Sequence, residues 1–238
     1  MILKRLFKNV ADENWSVVLL EIVVVVVGIF LGLQATNWSE ERKSIAEGYY
    51  YLDLLERQLD AQIKVIESDI ASLNDRIDRI RSARELLYAK SWSEDEYAQF
   101  KTEHVAVYSS PNDPRRPSAL RLLLDSGKID LVESRALQEM IFSLDSAYVA
   151  TIGQSEIYER YVDEATIVLS MAIPYGTKDS LMDIPVGPDV LLQSKELKWS
   201  MRMILILNNI QLTALRGLQS ACTNARDELK MYLSAQSI

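Results

Sequence analysis

Few residues in this chain have the type and spacing to do chemistry. Glu21 stands inside an apolar run, where an ionisable group is costly. There it serves a helix contact, an ion pair or a proton path, or else reaches back to the headgroups. His104, the single histidine, follows Glu103 and reads as an exposed polar surface group rather than a general base. Cys222, the single cysteine, falls on an apolar helical stripe that disfavours the thiolate, so it reads as a core thiol and not a nucleophile. One cysteine also excludes a disulfide framework, a multi-cysteine zinc site and a CxxC redox site. Asp125, Asp130 and Asp145 are scattered and do not follow the EF-hand spacing. Arg115-Arg116 are able to meet an anion, but an exposed loop accounts for them as well. The chain has no P-loop, GxGxxG, GxSxG or HExxH. The residues thus describe a protein that is not an enzyme, with no catalytic residue, cofactor or metal ligand expected.

The elements that must position these residues follow from composition and pattern. The chain has 238 residues, 48% hydrophobic, with 26 Lys and Arg against 34 Asp and Glu, a formal net charge of −8. That hydrophobic fraction supplies a core and excludes a wholly disordered chain. The acidity excludes nucleic acid as a partner, since a nucleic-acid binder needs a basic face. The mean hydropathy of −0.02 conceals one apolar block near the N-terminus.

That block, Val17 to Ala35, reads VVLLEIVVVVVGIFLGLQA and is long enough to span about 30 Å of hydrocarbon as a helix. Trp15 and Trp38 flank it 23 residues apart. That is about 35 Å of helix, which suits two interfacial indole anchors. Gln34-Ala35-Thr36-Asn37-Trp38 makes a poor cleavage site, which favours an anchor over a cleaved signal peptide. Lys4, Arg5 and Lys8 precede the span while Arg42 and Lys43 follow it, which places the N-terminus in the cytoplasm and the rest outside. In a bacterium this is an inner-membrane protein with a periplasmic domain. Ile2, Leu3, Leu6, Phe7 and Val10 recur at helical spacing and suit an interfacial helix on the inner leaflet. At 100° per residue, Glu21, Val25, Gly28, Gly32 and Ala35 share one face of the span. Gly28 and Gly32 form a GxxxG pair that lets another helix approach closely, so this face is the expected membrane helix contact.

Beyond the span, Leu52, Leu55, Leu59, Ile63, Ile66, Ile70, Leu73, Ile77 and Ile80 keep an unbroken 3/4 alternation. Ile45 and Leu87 extend it, with Gly48 and Arg84 as weak positions, giving a heptad seam about six repeats long. Asp75 and Arg79, four apart, support the solvated face. A second long helix is expected over 133–172, with Leu137, Met140, Ile141, Leu144, Tyr148 and Ile152 on one face. A third is expected over 194–233, where Asn208 and Gln211 interrupt an apolar seam, a device that fixes register. Shorter helices are expected over 93–107, opened by the capping box Ser93-Glu94-Asp95-Glu96, and over 117–126, with Pro117 in its first turn and Gly127 as its stop. The prolines cluster as Pro111, Pro114, Pro117 and as Pro174, Pro185, Pro188, outside the long helices. In the second cluster Leu181-Met182-Asp183-Ile184 suits an extended strip packed over the bundle. Tyr49-Tyr50-Tyr51 suits headgroups or a partner, or, more commonly, the flank of a core seam. The expected organisation is a cytoplasmic segment 1–14, a transmembrane helix 15–38 and an extracytoplasmic domain 39–238. The fold class is all-α, an elongated antiparallel bundle with coiled-coil-like seams and its short helices at one end. Whether the 45–87 seam is buried within or between chains stays open.

The stretch EIVVVVVGIFLGLQATNWSEERK resembles the opening of the DUF6090-type family of uncharacterised single-pass bacterial membrane proteins. Glu21, Gly28, Gln34 and Asn37-Trp38 hold the family's acid, glycine, Gln and Asn-Trp positions. LRLLLDSGKIDLVESRALQEMIFSLDSAY is similar to the family's middle segment, with Ser126-Gly127 as its turn and Ile129 to Val132 as its apolar link. The likeness covers roughly 15–45 and 118–150. It implies an N-terminally anchored helical protein and transfers no catalytic residue.

The functional expectation is an interaction protein of the inner membrane, with bilayer and protein as its partners. It is either an accessory subunit of a larger complex or a homo-oligomer. The alternatives are a component of an ion-driven membrane machine using Glu21 and a periplasmic ligand sensor. Residues 39–238 carry 23 basic against 31 acidic side chains, so the acidity belongs to the external domain.

Overall fold

A computed structural model describes residues 15–108, 114–173, 184 and 186–236, with side chains throughout except at 15–18 and 236. The segment 1–14 with its cations, the Trp15 side chain, Leu181-Met182-Asp183, and Pro111, Pro174 and Pro185 lie outside the described residues. The fold is all-α, six α-helices and two 3-10 turns, with no strand among the described residues.

Helix α1 runs from Trp15 to Leu86, 72 residues and about 108 Å without a break. The membrane-type run and the heptad seam are therefore one rod, because no proline falls within it and its three glycines only weaken helix propensity. The indole of Trp92 turns back and donates to Leu86 O at 2.7 Å, satisfying a carbonyl left orphaned at the helix end. Helix α2, Glu94–Glu103, opens on the expected capping box. Glu96 N donates to Ser93 Oγ, and Ser93 N donates to Glu96 Oε2. A 3-10 turn, His104–Tyr108, follows. Helix α3 is Ser118–Asp125, with Pro117 as its N-cap rather than in its first turn. Gly127 then takes φ +67°, the left-handed conformation that favours glycine, and leads into the 3-10 turn Lys128–Leu131. Helix α4 is Arg135–Ala172, capped by Ser134. Pro188 occupies the first turn of a short helix α5, Pro188–Gln193, in the loop read from sequence as an extended strip. Ile184 of that strip is buried, and the Tyr97 hydroxyl donates to Val186 O at 3.0 Å. Helix α6 is Lys195–Gln236.

The long seam is buried within the chain. Leu52, Leu55 and Leu59 of α1 cluster with Leu137 and Ile141 of α4 and with Cys222 and Leu229 of α6. At the other end Ile80 and Leu87 cluster with Leu169 of α4 and Leu197 and Met201 of α6. So α1 and α4 run the same way, and only α6 runs against them. The packed pairs, α1 with α6 and α4 with α6, are antiparallel as expected, and the connection between α1 and α4 sets those two helices parallel to each other. Arg76 bonds Val107 O, whereas Gln58 bonds Ser118 and Ala119 N. The chain therefore descends from the level of residue 76 to that of residue 58, about 27 Å, before α4 begins. The short helices consequently sit at both ends, α2 in the core around Leu87 and α3 in the core around Leu55, not at one end as expected.

Two seam positions differ from the periodic reading. On α4 the inward face passes through Thr151 and Ser155, while Ile152 is only half-buried. The 3/4 alternation from Tyr148 selects 151 and 155 by geometry, and Thr151 turns its hydroxyl back onto Ala147 O. Gly48, a weak seam position in sequence, lies against Leu131: a Cβ there would meet Leu131 O at 2.4 Å.

Candidate functional site

The segment Leu19 to Leu33 is a sleeve of exposed apolar side chains. Its large residues are 47–67% exposed, and none is covered by the other described residues. It forms one N-terminal helix long and apolar enough to cross a membrane. Glu21, Val25, Gly28, Gly32 and Ala35 all lie on this unbroken helix, and the α-helical rise puts them on one face. A Cβ added at Gly28 or Gly32 would meet nothing within 4 Å, so the face is open. Glu21 is half-buried, and its Oε2 is covered without a hydrogen-bond donor. Thr36 Oγ1 donates to Gly32 O at 3.0 Å, which hides a hydroxyl near the end of the apolar zone. Trp38 is 57% exposed, and the Arg42 guanidinium lies 3.8 Å over its ring. That cation–π contact suits a side chain at a wet boundary.

Just beyond, the tyrosine run divides. Tyr49 stacks on Tyr232 at 6.0 Å and Tyr51 donates to Glu47 at 3.3 Å, while Tyr50 is exposed. Burial beneath α1, helped by Tyr49, pushes the Tyr232 phenol up to about 12. Lys128 pairs with Glu47, so the 3-10 turn is pinned to the base of α1. That pairing holds the Glu47 carboxyl below its ordinary value and the Lys128 ammonium above.

Midway along the bundle lies a buried polar layer. Asn208 and Gln211 are fully buried. Tyr158 donates to Asn208 Oδ1 at 3.2 Å, Asn208 Nδ2 donates to Ile204 O at 2.6 Å, and Gln211 Nε2 donates to Ser155 Oγ at 2.8 Å. These bonds tie α6 to α4 at one height, as a register device requires. The sequence reading missed the layer's third helix. Arg76 of α1 is 6% exposed and has no carboxylate partner among the described residues. Its Nη2 donates to Val107 O at 3.1 Å, its Nε and Nη1 find no acceptor, and it lies 5.9 Å from the Tyr158 ring. Burial lowers the Arg76 guanidinium from its ordinary value and raises the Tyr158 phenol. The available signal was Arg76 next to the seam position Ile77, a place where a cation must either escape to water or be buried.

Several residues singled out in sequence change surroundings. His104 is 1% exposed, not a surface group. It stacks on Phe100 at 5.4 Å with Nδ1 3.1 Å from Phe100 O, because the change from α to 3-10 winding at Glu103 turns it inward. Arg79 pairs with Glu103 at 3.0 Å rather than with Asp75, since a rigid cross-helix partner is within reach. Arg116 bridges Asp145 on α4 and, at 3.9 Å, Asp125, so it locks α3 to α4 and is not a loose loop cation; Arg115 is exposed. Among the described residues no group of three metal-ligating side chains converges.

Cys222 is buried, 3.3 Å from the Tyr148 hydroxyl. Burial pushes its thiol above its ordinary value, only partly offset by that hydroxyl, and burial pushes Tyr148 up as well. In the unfolded chain a thiol titrates near about 8.5, so the unfolded state releases this proton first as pH rises. Stability is therefore full below about pH 8.5 and falls above it. Thermal melts in detergent are expected to be flat from about pH 6 to 8 and to decline above. Cys222→Ser is expected to move the onset up towards about pH 10, where tyrosines titrate. An onset that Cys222→Ser leaves unchanged refutes the assignment.

The chain matches no family profile, no curated protein and no solved structure.

Proposed function

We propose that this is a non-enzymatic, single-pass inner-membrane interaction protein, with residues 1–14 cytoplasmic and the helical bundle periplasmic. It acts as an accessory subunit of a larger membrane complex or as a homo-oligomer. The observation that carries the reading is the uncovered sleeve Leu19 to Leu33, continuous on one helix with the bundle seam. A sleeve with no cover in its own chain is stable only against lipid or other helices. The open Gly28 and Gly32 offer the closest backbone approach along it. On a rod without a break, a contact made in the membrane sets the direction of the external bundle. Blue-native electrophoresis after mild detergent extraction tests this. The expected result is a species larger than the monomer, lost in the Gly28→Ile, Gly32→Ile double variant. A lone monomer unchanged by both substitutions overturns the proposal.

A second reading, part of an ion-driven machine, rests on the covered and unbonded Oε2 of Glu21. Glu21→Gln is expected to abolish function in cells on that reading. Full function with Glu21 open to aqueous carbodiimide removes it.

A further inference from the structure

The edge where α1 meets α6 changes character along its length. Nearer the apolar sleeve, Arg226 of α6 meets Asp60 of α1 at 3.3 Å, and Gln219 meets Glu67 at 3.3 Å. Lys198 beside Tyr88 continues the same register, 21 residues further on in each segment. There the cation meets no acid. Lys198 Nζ lies 5.3 Å from the centre of the Tyr88 ring, and the Arg84 guanidinium lies 5.6 Å from it. Tyr88 is 60% exposed. Lys195 and Arg202, about one turn either side of Lys198, are exposed as well. None of these four cations pairs with a carboxylate among the described residues, and Arg84 Nε is covered without an acceptor. Asp78 pairs instead with Arg81 at 2.5 Å, Glu196 takes a bond from Ser194 at 3.3 Å, and Glu85 is exposed.

The opposite flank of α1 carries the reverse charge at the same height. Helical geometry sets Arg79, Ser82 and Leu86 about half a turn around the axis from Arg81 and Arg84. On that flank α2 runs back along α1, with Glu103 paired to Arg79 and Gln99 bonded to Ser82, each at 3.0 Å. Continued upward, this register brings Glu94 and Asp95 to the height of Leu87 and Tyr88, and the Trp92 bond to Leu86 O holds them there. Glu96 is used in the capping box, but Glu94 and Asp95 are exposed and pair with no cation among the described residues.

We propose that the basic edge of one copy, Arg84, Tyr88, Lys198 and Arg202, receives Glu94 and Asp95 of a second copy anchored in the same bilayer. The inference deepens the anchored interaction reading above and rests on it. Matched height selects the occupant. Tyr88 follows Trp38 by 50 residues, about 75 Å of helix, so the lipid of the anchor's own membrane does not reach the edge. A neighbour standing in the same bilayer in the same direction presents its acidic flank at that height. Charge selects it too. Residues 39–238 carry 23 basic against 31 acidic side chains, so two such domains repel unless they meet through unlike patches. A carboxylate brought to the Tyr88 ring also relieves the mutual repulsion of two uncompensated cations beside it. Single exposed ion pairs are weak, but two anchored copies meet at a high effective concentration, where a few such pairs suffice. The contact is head-to-tail, basic edge on acidic flank, so each copy keeps one patch free for a further neighbour.

The test is carbodiimide cross-linking of the full chain in isolated native membranes, which joins lysines to carboxylates in direct contact. A homodimer band is expected, whose linked peptides join Lys195 or Lys198 to Glu94 or Asp95. Arginine does not react, so loss of the band in Arg84→Glu, Arg202→Glu reads attraction rather than a missing reactive group. That variant, Arg202→Glu alone, and Glu94→Gln, Asp95→Asn are each expected to weaken the band about tenfold with the thermal midpoint unchanged. Lys64→Glu, exposed on α1, is expected to leave it as in the wild type. Co-expression of the Arg84→Glu, Arg202→Glu copy with the Glu94→Gln, Asp95→Asn copy is expected to restore a mixed dimer, because one intact edge then faces one intact acidic flank. A band that survives the arginine variants, or a pair of copies that fails to restore it, overturns the head-to-tail contact. A product of foreign mass linked at Lys198 overturns the choice of occupant. No dimer, with the species that depends on Gly28 and Gly32 still present, overturns this contact and leaves the interaction function intact.

Discussion

Arg76→Met is expected to raise the unfolding free energy by about 1–3 kcal/mol, read as a higher denaturant midpoint in detergent. Arg76 is a cation held 94% out of water; it bonds Val107 O, lies against Tyr158, and has no carboxylate partner among the described residues. Replacing even a paired buried ion by an apolar side chain of similar volume is often stabilising by about 1–4 kcal/mol. Here the desolvation is not repaid by a counter-charge, so the same sign holds. Against the gain stands the lost bond to Val107, about 1 kcal/mol, and a long-range contact with the Tyr158 ring. Methionine keeps the unbranched volume, so no large cavity opens beside Ile77 and Tyr158. A lower midpoint would mean that Arg76 faces a negative partner in the folded protein. The variant should also lose specificity at this height, because the polar layer would then span only α4 and α6.

Gly48→Ala is expected to lower stability by about 1–2 kcal/mol, although alanine is the better helix former by about 1 kcal/mol. The new Cβ would sit 2.4 Å from the Leu131 carbonyl oxygen, a backbone atom with no rotamer in which to retreat. Either the 3-10 turn Lys128–Leu131 moves off α1, breaking the Lys128–Glu47 pair, or α1 bends. The contrast with Gly153→Ala and Gly217→Ala gives the control. Both positions are open, so alanine there is expected to stabilise the detergent-solubilised monomer by about 0.5–1 kcal/mol each. Equal effects at all three positions would refute the close packing of Leu131 on Gly48. The same packing sets the base of the bundle a few residues beyond Trp38, where the rod leaves the proposed membrane boundary. Gly48→Ala should therefore loosen the junction between anchor and bundle more than the distal core, measured as faster hydrogen exchange in residues 128–132 than around Leu197.

Much of this protein was legible in its residues because the relevant information is local. The 3/4 alternation from Leu52 to Ile80 needs only helix geometry, and each of those positions except the half-buried Ile70 is buried. The capping box at Ser93, the stop at Gly127 and the apolar sleeve are likewise local patterns, read from adjacent side chains. The face carrying Glu21, Gly28 and Gly32 follows from 100° per residue alone. What tertiary structure decided is pairing and depth. A seam states that it must be buried but not against which helix or in which direction, so the parallel course of α1 and α4 depends on Val107 lying at the level of Arg76 and Ser118 at that of Gln58. His104 and Arg76 are polar by type, and only the packing of the distal 3-10 turn over α1 placed them inside. The glycines make the distinction sharpest. Five share one residue type and one helical conformation, but Gly48 is filled by a carbonyl oxygen of its own chain, whereas Gly28, Gly32, Gly153 and Gly217 face open space. Periodicity fixes the direction a position faces, and steric contact between distant segments decides what it meets there.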